Sequence, residues 1–239
     1  KESFAEVYSR KESVTVEENG IKTEKNGKIL EVVKEIIAGI KVENRSNIPF
    51  VGGAVGTVGY DIIRQYEKLP EKNRDEIGTP EAHMLFIKTM IVYDHFHQQI
   101  VFVVLEEKGE AGESAAKAKI AQMEEELKKP YVDSAIDKVY SATDVSNIKS
   151  NMTKDEYMGI VEKAKHYIHE GDIFQVVLSQ RWSVDTQESL FTLYRKLRAL
   201  NPSPYLFYFN FGDYQVAGSS PEMLVEMRKG KVYTCPIAG

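Results

Sequence analysis

The sequence predicts an α+β fold with helices packed on antiparallel sheet, and three observations carry that expectation. Apolar residues recur at helical spacing in four stretches, residues 27–39, 112–130, 153–171 and 185–202. The turn pairs Asn19-Gly20 and Lys229-Gly230 separate short extended segments. Towards the C-terminus the order reads helix, strand, helix and then antiparallel strands, without the strand–helix–strand alternation that builds a parallel sheet.

The 239 residues suffice for one large domain or two small ones, and 42% hydrophobic with 28% charged residues is ordinary for a soluble globular protein. No apolar run approaches the roughly 18–20 residues that span a bilayer. The opening KESFAEVYSRKES has no apolar region to act as a signal peptide. A net charge of −5 offers no footprint for nucleic acid or an anionic membrane surface. The single cysteine, Cys235, excludes an internal disulfide and a cysteine-rich zinc site and fits a reducing cytoplasm. The chain starts without Met and stops at VYTCPIAG on a strand-to-turn signal, so an internal segment of a longer protein is expected.

Residues 12–25 predict a hairpin in which Val14 and Val16 alternate with polar residues before the Asn19-Gly20 turn. Residues 27–39 follow as a helix with Ile29, Leu30, Val33, Ile36 and Ile37 on one face and Gly39 as its stop. The glycines of residues 48–70 (Gly52, Gly53, Gly56 and Gly59) lack the Gly-Lys-Ser/Thr ending of a phosphate loop and do not match G-x-G-x-x-G. They predict a strand that bulges or packs closely against a neighbour, running into a short helix around residues 60–66. Residues 84–107 read as two long strands joined by a tight turn near residues 94–98. His95 and His97 in that turn have a spacing that can serve a metal, yet no third ligand is evident, and a hairpin tip accounts for polar residues by itself. Residues 112–130 predict a charged helix with Ala116, Ile120, Met123 and Leu127 inward, ended by Pro130.

Residues 131–151, rich in Ser, Asp and Asn, are the expected linker between a region of residues 1–130 and one of residues 152–239. Beyond it Thr153 and Glu156 form a T-x-x-E capping box. Tyr157, Ile160, Val161, Ala164, Tyr167 and Ile168 make the apolar stripe of that helix, and Gly171 is its left-handed stop. Residues 173–184 read as a strand whose interior amide, Gln175, must be hydrogen-bonded if buried, as a structural tie or as a site residue. Asp185 and Glu188 are expected to cap the next helix, with Leu190, Phe191, Leu193, Tyr194 and Leu197 inward and Pro202 closing it. Phe207, Phe209 and Phe211 then share one face of a strand and Leu206 and Tyr208 the other, which predicts burial between two layers. A polar bend over residues 218–221 follows, carrying one acid, Glu222.

Several of these segments are recognisable as a set. TKDEYMGIVEKAKHYIHEGDIFQVVLSQRW, NPSPYLFYFNFGDYQVAGSSPEMLV and YTCPIAG resemble the chorismate-utilising enzymes, specifically the anthranilate synthase component I family. PFVGGAVGTVGYDIIR and MIVYDHF resemble the amino-terminal region of the same enzymes. Ordered matches from about Pro49 onward are more specific than any single short pattern. The resemblance implies a four-layer α/β/β/α fold, in which antiparallel sheets form a β-sandwich core flanked by helices, incomplete in this chain. Residues 1–130 would be its N-terminal region and residues 152–239 the start of its chorismate-binding catalytic domain. The implied activity is that of a cytoplasmic lyase of tryptophan biosynthesis, making anthranilate and pyruvate from chorismate and ammonia. A partner glutamine amidotransferase, component II, would supply the ammonia, magnesium would clamp the substrate's ring carboxylate, and tryptophan would inhibit.

Residue by residue, the resemblance implies that Asn201, Pro202, Ser203, Pro204, Tyr205 and Leu206 line a tryptophan pocket. It implies that Glu222 of S-P-E faces chorismate and that Gly239 of P-I-A-G contacts it. Loss of a ring hydroxyl is helped by a proton donor, a task that suits a carboxylic acid at a semi-buried bend. The plainer alternative is that Glu222 caps the next element through the Ser219-Ser220-Pro221 turn. Tyr205 is equally readable as core or as a rigid wall for an indole ring. Gln175, assigned to the chorismate site, stands where isochorismate and salicylate synthases carry a water-activating lysine. Ala238 stands where aminodeoxychorismate synthases often carry a nucleophilic lysine, a role alanine cannot fill. Without a water-activating base at Gln175 ammonia is the expected nucleophile, and both positions point to the anthranilate synthase branch of the family.

The chain lacks the L-L-E-S segment that completes the tryptophan pocket. It also lacks everything beyond Gly239, where the resemblance places a catalytic histidine, the magnesium-binding glutamates and further chorismate contacts. Alone, it is expected to be inactive and to leave sheet edges unpaired. Two other readings stand beside the first: the large subunit of an aminodeoxychorismate synthase, and a non-catalytic tryptophan-binding fragment.

Overall fold

The structure, a computed structural model, describes residues 3–11, 13–43, 46–71, 73–130 and 147–237. It divides into two compact units, Lys1–Val132 and Asp133–Gly239. In chain order the first contains β1 (Ser3–Arg10), β2 (Ser13–Glu18), β3 (Ile21–Asn26), α1 (Ile29–Ala38), β4 (Gly53–Val58), a 3-10 turn (Tyr60–Gln65), β5 (Ala82–Ile87), β6 (Thr89–Asp94), β7 (Gln99–Val104) and α2 (Glu110–Lys128). The second contains β8 (Lys149–Ser150), α3 (Lys154–His169), β9 (Trp182–Ser183), α4 (Leu190–Leu200), β10 (Tyr205–Asn210), β11 (Gln215–Ser220), β12 (Glu226–Arg228) and β13 (Lys231–Tyr233). Every ladder among the described residues is antiparallel, as the α+β reading expects.

The first unit is organised by a five-stranded sheet in the order β3-β2-β1-β5-β4. Its central strand, β1, is one for which the sequence pattern predicts no element. Ala5, Val7 and Ser9 alternate inward, but two of these three are small, so the period-2 apolar signal is faint. The β2–β3 hairpin forms as expected, with Asn19 at φ 51° and Gly20 at φ 78°, the positive pair that a type I′ turn requires. Helix α1 packs Ile29 and Val32 into the core, with Val33 and Ile36 against it. The buried face is therefore rotated from the predicted one, and Leu30 and Ile37, one position along from Ile29 and Ile36, are exposed. Gly39 does stop the helix, but in right-handed conformation at φ −74°, its N–H shared between the Glu35 and Ile36 carbonyls.

Val7, Val14, Ile29 and Phe86 are completely buried at the centre of this core. The Phe4 and Phe86 rings meet edge-on at 5.9 Å. Gly56 shows why a glycine-rich strand belongs here: a Cβ on it would lie 1.9 Å from the His83 carbonyl oxygen of β5. The predicted long strand of residues 84–94 is in fact two. β5 pairs with β1 and β4, the chain breaks at Lys88, and β6 pairs with β7 in a separate hairpin. Periodicity cannot reveal that change of partner, because residues on both sides of it remain apolar. Helix α2 buries Met123, with Ala116 and Ile120 half-buried, while Leu127 in its last turn is exposed, contrary to expectation. Lys129, preceding Pro130, is driven to extended ψ 136°, which ends the helix.

In the second unit, residues 131–146 of the expected linker lie outside the described residues, and Lys149–Ser150 at its end pair with β9. Helix α3 opens on the predicted capping box, the Thr153 hydroxyl accepting from Glu156 N–H while the Glu156 carboxylate accepts from Thr153 N–H at 2.7 Å. It closes on Gly171 at φ 82°, with Asp172 N–H bonded to Tyr167 O and Gly171 N–H to Ile168 O. Of its apolar stripe only Ala164 is buried; Ile160, Tyr167 and Ile168 are exposed. Helix α4 is capped by Ser189, whose hydroxyl accepts from Thr192 N–H, and not by Asp185 or Glu188. Ser189 lies immediately before the helix, where its oxygen reaches the orphan N–H groups. No helix among the described residues is long and apolar enough to cross a membrane.

Ser9 Oγ is fully buried and has no hydrogen-bond partner. A buried hydroxyl left unsatisfied costs about 1–3 kcal/mol, so Ser9→Ala is expected to raise stability by about 1 kcal/mol in chemical denaturation. Glu156 supplies a pH test. Its carboxyl is held below the ordinary value of 4.5, chiefly by the Thr153 backbone N–H and then by the Thr153 hydroxyl. The stabilisation is complete above the ordinary value and is lost as pH falls through the lowered one. Acid titration of the helical circular-dichroism signal should show this loss, and Glu156→Gln should remove its pH dependence.

Candidate functional site

Residues 201–206 and Glu222 lie on the β10–β11 ladder and in the turns at its ends. Helix α4 ends at Asn201, whose N–H closes the last turn on Leu197 O at 2.8 Å, and Pro202 forbids a further turn. Pro204 and Tyr205 are exposed, while Ser203 and Leu206 are half-buried. Strand β10 begins at Tyr205, and the register pairs Tyr205 with Ser220, Leu206 with Ser219 and Phe207 with Gly218. A Cβ on Gly218 would come within 2.3 Å of the Phe207 ring, so that ring lies directly over the glycine backbone.

The two faces of β10 differ. Tyr208 is covered by α4, its ring 5.3 Å from Phe191 and 5.9 Å from Tyr194, with its hydroxyl donating to Gln215 Oε1 at 3.0 Å. On the other face Phe207, Phe209 and Phe211 form a ladder spaced 6.0 and 5.6 Å, which Tyr214 continues at 4.9 Å. Phe211 is buried, but Phe207 and Phe209 are only half-buried. The expected burial between two layers is thus corrected to a two-stranded ladder backed by one helix. Apolar residues on both faces do not by themselves supply a second covering layer.

The polar bend also begins later than predicted. Gly218, Ser219 and Ser220 belong to β11, and the chain turns only from Pro221. The two serines, read from the sequence only as part of a capping turn, tie both sides of that turn. Ser219 Oγ donates to Asn201 O at 2.6 Å. Ser220 Oγ donates to Glu222 O at 3.3 Å and accepts from Glu222 N–H at 3.4 Å. The clue in the sequence was a pair of small hydroxyl residues directly ahead of Pro-Glu.

Glu222 is exposed, not semi-buried. Its Oε1 accepts from Ile237 N–H at 3.2 Å, a partner 15 residues along the chain. The carboxylate therefore joins the S-P-E bend to the P-I-A-G turn instead of capping the element that follows it. Thr234 Oγ1, donating to Leu224 O at 3.3 Å, holds the same two segments together. Gly239 and Ala238 lie outside the described residues.

Gln175 is not brought to this cluster. The predicted strand of residues 173–184 is reduced to Trp182–Ser183, with Arg181 O accepting from Asn151 N–H at 3.0 Å, and residues 173–179 belong to no strand among the described residues. Gln175 is exposed among exposed apolar neighbours, Phe174 at 98% and Val177 at 79%. A segment apolar on both faces becomes a strand only when other strands flank it. The histidine turn behaves as a hairpin tip: His97 Nδ1 lies 2.7 Å from Asp94 Oδ2, and the His95 ring packs on Tyr93. Among the described residues no group of three or more His, Cys, Asp or Glu is placed to hold a metal ion.

Residues 3–239 match the chorismate binding enzyme family. The chain belongs to that family. Among curated relatives, anthranilate synthase component 1 of Acetivibrio thermocellus is 44% identical over 247 residues, covering 100% of this chain and 50% of the relative. The component 1 of Cereibacter sphaeroides is 40% identical over 221 residues, covering 89% of this chain and 43% of the relative. The crystal structure of anthranilate synthase component I from Streptococcus pneumoniae superposes with a TM-score of 0.79 at 34% identity, covering 97% of this chain and 51% of that one. The chain spans about half the length of the relatives it matches.

Gly218→Ala tests the ladder on which the cluster is built. The added methyl must displace the Phe207 ring, and overpacking of this kind costs about 1–3 kcal/mol. A drop of that size in chemical denaturation is expected, with a changed near-UV circular-dichroism spectrum as the aromatic ladder reorders.

Proposed function

We propose that this chain is part of the large component of an anthranilate synthase, acting on chorismate and ammonia to give anthranilate and pyruvate in tryptophan biosynthesis. The names of its relatives support this reading, and one geometric observation carries it. The Glu222 carboxylate accepts from Ile237 N–H, so the two motifs assigned to chorismate meet at a single acid. In its protonated form Glu222 gives its proton to the departing ring hydroxyl, which leaves as water while ammonia adds to the ring. Gln175 and Ala238 support ammonia over water or an enzyme lysine as the nucleophile, since neither is a base or an amine. Ammonia would be delivered from glutamine by a partner amidotransferase. Gly239, next to the Glu222–Ile237 contact in sequence, would contact chorismate.

Within this reading the two compact units are the N-terminal region and the start of the chorismate-binding domain. Residues 201–206 take tryptophan as a feedback inhibitor: Asn201 and Ser203 offer polar groups beside the rigid wall of Pro204, Tyr205 and Leu206. Magnesium, held by residues of the longer protein, would clamp the ring carboxylate of chorismate. The cytoplasm is the expected compartment.

The test is the full-length protein supplied with chorismate, magnesium and ammonia, followed by anthranilate fluorescence. Anthranilate is expected, and 4-amino-4-deoxychorismate as the product would overturn the assignment. Glu222→Gln should lower kcat by about 10²–10⁴-fold, the usual contribution of a positioned acid, while calorimetry shows tryptophan still binding. An unchanged kcat would reduce Glu222 to an anchor for the Ile237 turn.

A further inference from the structure

We infer that Ser219 is a positioning residue through which occupancy of the loop at residues 201–206 is coupled to the Glu222 bend. The inference rests on the reading that this loop takes tryptophan and that Glu222 faces chorismate, and it adds the route between them.

Three observations carry it. First, Ser219 and Ser220 are consecutive in β11, so their side chains leave opposite faces of the strand. Ser219 Oγ reaches back to Asn201 O at 2.6 Å, while Ser220 Oγ reaches forward to both main-chain polar groups of Glu222. Second, the loop they grip is stiff. Pro202 and Pro204 fix two of its φ angles and restrict the residues before them, and the ladder pins its far end through Tyr205 and Leu206. A ligand that shifts this loop therefore moves its ends instead of being absorbed within it. Third, Glu222 is held at its outer end by Ile237 N–H. The chain of contacts is continuous: Asn201 carbonyl, Ser219 hydroxyl, strand end, Ser220 hydroxyl, Glu222, Ile237 amide.

The two-state element this requires is the Ser219–Asn201 hydrogen bond, made or broken as the loop is empty or filled. Coupling between sites is reciprocal, so tryptophan and chorismate must weaken each other by the same factor, ordinarily about 5–150-fold. A purely structural Ser219, a tie between α4 and β11, would affect stability and leave that factor untouched.

The experiment uses the full-length protein and reads tryptophan affinity by calorimetry with and without saturating chorismate. The ratio of the two is internal to each variant, so a general loss of activity or affinity cancels. Wild type should show a ratio in the range above, and Ser219→Ala should bring it to within about twofold of one. Ser219→Thr, which keeps the hydroxyl, should restore it. An unchanged ratio in Ser219→Ala overturns the inference and leaves the functional reading standing. A wild-type protein that forms anthranilate but binds no tryptophan, or one that forms none, overturns the underlying reading and the inference with it. Amide hydrogen exchange in the wild type needs no variant. Tryptophan should change protection at Glu222 and Ile237, and no change at either amide overturns the coupling even if Ser219→Ala fails to fold.

Discussion

The register of the β10–β11 ladder is the constraint on which the candidate site depends. Pairing Phe207 with Gly218 is possible because the glycine leaves room for the ring. Once that pair is set, Ser219 falls beside the end of α4, Ser220 falls opposite Tyr205, and the chain turns at Pro221 with Glu222 just beyond. A slip of one residue would send every one of these side chains to the opposite face. It would separate Asn201 from Ser219 and place Ser219 or Ala217 opposite Phe207 in place of the glycine. The site is in this sense a consequence of sheet packing, and its polar contacts follow from an aromatic–glycine fit.

The two units solve burial differently. The first has a true core, in which Val7, Val14, Ile29 and Phe86 are wholly excluded from solvent between sheet and helix. The second is assembled from two-stranded ladders and single helices, and much of its apolar surface stays exposed, as at Phe174, Trp182, Leu224 and Met227. Its order comes more from local devices: the Thr153–Glu156 box, the Gly171 stop, the Ser189 cap and the Lys229-Gly230 turn at φ 50° and 74°. Such devices contribute about 1 kcal/mol each and specify where elements begin and end, but they do not replace a core.

This contrast bears on the chemistry. Enclosure favours proton transfer from a carboxylic acid in general, and the Glu222 side chain is exposed. What the described residues do provide is orientation: Ser220 holds its backbone and Ile237 N–H holds its carboxylate. Orientation and enclosure are therefore separate properties of this site. The first is visible among the described residues, in the hydrogen bonds of Ser220 and Ile237.

By itself the sequence determined whatever depends on neighbours in the chain. The Asn19-Gly20 and Lys229-Gly230 turns, the Thr153 box, the Gly171 stop and the α+β class were legible because each is a local rule of backbone conformation or periodicity. The family was legible for another reason, in recurrent strings such as those that carry Asn201, Tyr205 and Glu222. Only the tertiary structure decided what depends on partners distant in the chain. It placed β1 at the centre of its sheet although small Ala5 and Ser9 hide the pattern, and it broke residues 84–94 between two sheets. It left residues 173–179 outside any strand among the described residues, with Gln175 exposed. It also revealed the Ser219–Asn201 and Glu222–Ile237 hydrogen bonds, spanning 18 and 15 residues. Local propensity acts through the few residues on either side, whereas a hydrogen bond across a ladder exists only after the register has brought its two ends together.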